Sequence, residues 1–184
     1  ISSSRTRNGF YLFISKSHNM PQHHHGYKVT TLHEMFHIYQ MASVINNEQT
    51  EAELSALMGK NTSDIKDMNV PWWMEGTASY ISDLLYSRQP GEPANWILRE
   101  MHQSLWSDYG TGNGNLIDQY LDSGRKLYNF QYGGSDHQVA YRVGAWFVAY
   151  LLNQVGEEKL YKFYIFNNWS ISLTNYINIY KSYI

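Results

Sequence analysis

The stretch of this chain best equipped for chemistry is His33-Glu34-Met35-Phe36-His37. It has the form H-E-x-x-H, and residues four apart on a helix lie one turn apart on the same face. Two imidazoles placed in this way can reach one metal ion. Glu34 is rotated about 100° from His33 around such a helix and lies three residues before His37. Its carboxylate therefore stands beside the ion without having to ligate it. Hydrolysis needs that arrangement, an acid–base group next to a metal-activated water. The five-residue pattern alone leaves open that the two histidines are satisfied residues of a helix core.

A second motif adds a carboxylate. Pro71-Trp72-Trp73-Met74-Glu75-Gly76-Thr77-Ala78-Ser79-Tyr80 places Glu75 one turn into a helix among aromatic residues. An acid in apolar company is costly unless it is paired or metal-bound. The competing explanation is a glutamate favoured by the positive end of the helix dipole. Ser79 lies one turn after Glu75 and is placed to support a ligand from behind.

Together the two motifs resemble the gluzincin clan of metallopeptidases, with its thermolysin-like and aminopeptidase branches. In that clan an H-E-x-x-H helix is joined by a glutamate from a following helix in the pattern W-x-x-E-G-x-A, matched here by Trp72, Glu75, Gly76 and Ala78. The resemblance implies a zincin-like fold and a Zn2+ ion held by His33, His37 and Glu75, with Glu34 as general base. It leaves the fourth zinc position open, as a catalytic site requires. Tyr141-Arg142-Val143-Gly144 resembles the tyrosine-x-x-glycine start of a later helix in the aminopeptidase branch. By that match Tyr141 stabilises the oxyanion, against the alternative of a packing tyrosine. His137, four residues earlier, shares its face and is the other candidate. The resemblance runs over roughly residues 26–166, with two departures. The interval between His37 and Glu75 is longer than in the clan, and no glycine-x-methionine-glutamate-asparagine motif precedes His33 to hold a free amine. The implied partner is a peptide or protein substrate, with no support for exopeptidase action.

The elements that must position these residues are mostly helical. Apolar residues recur at three- and four-residue intervals over 27–45, and further helices are expected over 48–58, 71–86, 94–106, 136–154, 157–166 and 173–183. The run over 136–154 is apolar nearly all round, which marks a buried helix. Residues 9–15, GFYLFIS, read as a strand of a small sheet. His23-His24-His25 reads as a polar loop, and His18 and His102 lack partners at ligand spacing. The expected fold class is α+β and predominantly α-helical, with a small N-terminal sheet remnant and a C-terminal helical bundle. Residues 1–184 are expected to form a single catalytic domain, either a processed form or a piece of a longer protein.

Composition limits the alternatives. A net charge of -2 gives no basic field for nucleic acid. No apolar run is long enough to span a bilayer. The chain has no cysteine, so any metal must be held by His, Asp or Glu. An extracytoplasmic or secreted setting is the expectation for its location. The function classes that remain are a zinc peptidase, a non-catalytic binding module on a zincin fold, and a structural protein whose histidines bind nothing.

Overall fold

The computed structural model describes residues 2–6, 9–13, 25–44, 69–106, 114–132 and 136–166. The described chain is predominantly helical. Strands β1 (Ser2–Thr6) and β2 (Gly9–Phe13) pair antiparallel, with Ser4 opposite Tyr11. Helix α1 (His25–Val44) follows, then α2 (Trp72–Ser87), α3 (Trp96–Trp106), α4 (Leu116–Ser123), a 3-10 turn (Leu127–Asn129), α5 (Asp136–Val155) and α6 (Glu157–Phe166). The helices expected over 48–58 and 173–183 lie outside the described residues.

Local chemistry explains most boundaries. Pro71 sits at the N-cap of α2, where its missing amide proton is not needed, and its carbonyl accepts from the Glu75 amide at 3.0 Å. Helix α4, which the sequence pattern had not marked, is capped by Asn115. Its side chain accepts from the Asp118 amide at 2.9 Å, and Gly124 ends the helix in the left-handed region. Gly156, at φ 85°, separates α5 from α6. His25 begins α1 rather than closing the preceding loop.

Two apolar clusters share the interior. Phe36, Trp73, Ala78, Ile81, Val148, Leu151, Leu152 and Leu160 join α1, α2, α5 and α6. Val70, Leu105, Leu116, Phe130, Val139, Ala140 and Val143 form the other, and Trp72 packs against both. Helix α5 is buried on one face only. Phe147 and Tyr150 are exposed, which corrects the expectation of a helix buried all round. Trp106 is also exposed.

Helices α2 and α5 cross where neither has a side chain. A Cβ on Gly76 would stand 2.7 Å from the Gly144 carbonyl carbon, and one on Gly144 would stand 3.1 Å from the Trp72 carbonyl oxygen. A glycine inside a helix costs about 1 kcal/mol relative to alanine. Burying one Phe, Ile or Leu side chain returns about 1.5–3 kcal/mol. The close crossing, which brings Trp73, Ile81, Val148 and Leu151 together, thus outweighs the loss at the two glycines.

Candidate metal centre and its cleft

Helix α1 supplies the two histidines. His37 is buried and His33 partly so, and their rings meet edge to face with centroids 4.5 Å apart. Glu75, in the first turn of α2, is also buried. One of its oxygens, Oε2, lies 3.1 Å from His33 Nε2 and 3.1 Å from His37 Nε2. The structure brings these three residues together, with one donor atom from each within 4.8 Å of the others.

The surrounding hydrogen bonds assign the His37 tautomer. The Gln40 amide nitrogen donates to the Met74 carbonyl at 3.0 Å, so the oxygen of the same amide faces His37 Nδ1 at 2.7 Å. An amide oxygen only accepts, so Nδ1 carries the proton. In a neutral imidazole, Nε2 then turns a bare lone pair toward a carboxylate oxygen. Two acceptors at 3.1 Å need a positive charge between them, either a proton or a cation. Ser79 Oγ makes a long contact of 3.5 Å with His33 Nδ1 and backs the second ring.

Without a cation the group behaves as an ion pair. Burial pulls the Glu75 carboxyl upward, but the hydrogen bonds from His33 and His37 overcome it and hold the pKa at about 2. Burial pulls His37 downward, and the hydrogen bond and charge of Glu75 outweigh it, so its pKa is raised. The donor set also suits zinc. Ligands about 2.0–2.1 Å from a tetrahedral ion stand roughly 3.3 Å apart, and the two nitrogen–oxygen separations here are both 3.1 Å. Among the described residues this is the one His, Asp and Glu cluster with such spacing.

The three donors open into a cleft of about 410 Å³, also lined by Glu34, Ser79, Ser82, Gln138, Tyr141 and Arg142. Glu34 thus shares the space in front of the cluster. The Tyr141 ring stacks 6.0 Å from His33, and the Glu75 charge and the Tyr132 side chain act on its hydroxyl. Burial, then the Glu75 charge, raises its pKa, so it is an O–H donor at neutral pH. His137 stands behind it, 5.9 Å from the Tyr141 ring, and its Nε2 meets the Gln138 amide at 3.0 Å. Gln138, rather than His137, lines the cleft.

Sequence reasoning missed Tyr132. Its hydroxyl donates to Glu75 Oε1 at 3.3 Å, and burial with the Glu75 charge pushes its pKa up to about 12. The link that brings it there is non-local. The Val70 amide donates to the Phe130 carbonyl at 2.9 Å, and Asn69 bridges Gln131. Nothing in the local pattern around Tyr132 signals this pairing.

No protein-family model, curated protein or solved structure matches the chain. The candidate site therefore rests on its own residues and geometry. No helix among the described residues is long and apolar enough to cross a membrane.

Proposed function

We propose that this chain is a zinc-dependent peptidase of gluzincin type, on a zincin-like domain in which the β1–β2 hairpin is what remains of the sheet. The observation that carries this reading is the convergence of His33 and His37 on one oxygen of Glu75, with Glu34 and Tyr141 lining the same cleft. His33, His37 and Glu75 would hold the ion. A bound zinc ion supplies Lewis acidity, polarising a carbonyl and acidifying water. Glu34 accepts the water proton and passes it to the leaving amine nitrogen. The Tyr141 hydroxyl donates to the carbonyl oxygen as negative charge develops there. Tyr132 steadies Glu75 through its second oxygen. Gln40 fixes the ring of His37 with Nε2 toward the cleft.

Metal analysis of the purified chain, followed by peptide hydrolysis with and without a chelator, tests the proposal. One zinc per chain and hydrolysis that the chelator abolishes are expected. Glu34→Gln should keep the metal and lose activity by about 10²–10⁴-fold, the usual worth of a general acid–base group. Zinc retained with no turnover in the wild type would favour the binding module instead. A chain that takes up no zinc would reject both.

A further inference from the structure

Besides its His–His–Glu cluster, the cleft is lined by Ser82 of α2 and by Gln138 and Arg142 of α5. Arg142 Nη1 stands 3.7 Å from Asp83 Oδ2, too far for a good hydrogen bond. Arg142 Nε and Asp83 Oδ2 are both buried without a hydrogen-bond partner among the described residues. A guanidinium is a planar fork of donors that matches a carboxylate two-on-two. Asp83 does not use the fork in that way. Burial raises its pKa to about 6, outweighing the pull of Arg142, so the pairing is weak. The acids lining this cleft are Glu34 and Glu75, and Glu75 is engaged with the two histidines. Arg142 therefore offers unspent donor capacity inside a cleft already suited to a peptide, and Gln138, one turn earlier on α5, shares its face.

We propose that Arg142 anchors a carboxylate subsite, so that the preferred ligand is a peptide carrying either a free C-terminal carboxylate or an acidic side chain beside the scissile bond. The peptide nature of this ligand rests on the function proposed above, whereas the anion site rests on Arg142 and its loose partner. The rival account is that Arg142 serves only to pair with Asp83.

The probes are N-acetylated peptides of one parent sequence, with a free C-terminus, with a C-terminal amide, and as amides bearing an internal Glu or Gln. They are titrated calorimetrically into the zinc-loaded Glu34→Gln protein, in which cleavage is suppressed. At least one carboxylate peptide should bind about 10-fold or more tightly than its neutral counterpart, as expected for a charge-assisted hydrogen-bonded pair. The arm that shows the preference identifies the source of the carboxylate. Arg142→Gln should erase the preference. Asp83→Asn, which releases the guanidinium, should increase carboxylate affinity and leave neutral peptides unchanged. If Arg142→Gln alone does not fold, Arg142→Gln combined with Asp83→Asn leaves no buried charge unpaired and carries the same comparison. Equal affinity for charged and neutral peptides overturns the proposal. So does a preference that survives loss of Arg142, or carboxylate affinity that does not rise in Asp83→Asn. Hydrolysis by the wild type, measured in parallel, separates the two readings. A carboxylate preference without turnover keeps the subsite and rejects the peptidase, and turnover without the preference does the reverse.

Discussion

Glu75 and Asp83 are both buried acids on α2, about two turns apart, and they sit in opposite electrostatic settings. Glu75 receives two imidazoles at 3.1 Å and a tyrosine hydroxyl at 3.3 Å. Asp83 receives one guanidinium at 3.7 Å. The first carboxyl is held at about 2 and the second is pushed to about 6, although burial opposes ionisation in both. Burial therefore does not decide which acid ionises. The number of donors within hydrogen-bonding distance does. Glu75 has its charge matched by neighbouring side chains, whereas the Asp83–Arg142 pair leaves a donor and an acceptor unmatched.

The sharpest way to break this contrast is the pH dependence of stability at Asp83. Asp83 has a folded pKa raised from 3.8 to about 6. Below the lower value it is protonated in both states, and its contribution to stability is fully present. Between the two values the folded chain keeps a proton that the unfolded chain has released, so stability falls as pH rises and the loss is complete above the folded pKa. At 1.36 kcal/mol per pKa unit the difference amounts to about 3 kcal/mol. Denaturant unfolding of the wild type and Asp83→Asn at several pH values should show the wild type losing that amount relative to the variant as pH rises from 4 to 7. Parallel curves would mean that Asp83 is satisfied and that the two acids do not differ.

Near Glu75, Tyr141→Phe removes one hydroxyl and leaves the ring on His33. If that hydroxyl stabilises developing charge, kcat should fall by about 10²-fold with KM little changed. Steady-state kinetics decides this, and a normal kcat with a lowered melting temperature would make Tyr141 a packing group. A smaller effect is expected at Gln40. Gln40→Leu frees His37 to rotate or change tautomer, and zinc affinity should weaken by about 10–100-fold, the usual worth of a residue that orients a ligand. Competition with a chromophoric chelator measures it, and unchanged affinity would show that the His37 ring is held by packing alone.

The histidine pair was legible in the sequence because it obeys a single helical period, and Glu75 because an acid among Trp72, Trp73 and Met74 is conspicuous. The long helices were legible for the same reason of period. What remained hidden depends on contacts between distant segments. Tyr132 reaches Glu75 only because Val70 pairs with Phe130, and Gln40 matters only because the Met74 carbonyl fixes its amide. Helix α4 is short, and its signal lies in the Asn115 cap rather than in a repeated apolar face. Gly76 and Gly144 could be read as motif letters, but not as the two halves of one contact.

That contact bears on how the candidate centre comes into being during folding. The two histidines share one helix, so a few local turns suffice to align them, and local helix formation is fast. Glu75 and Tyr141 flank the Gly76–Gly144 crossing, and they reach one another only when segments far apart in the chain have docked. Closing such a long loop costs entropy that only the finished packing repays. Backbone meets backbone at the crossing, so no side chain is there to yield and accept a partial approach. A chain short of that docking step carries a two-histidine half-site on α1, and the third donor, the tyrosines and the cleft arrive together.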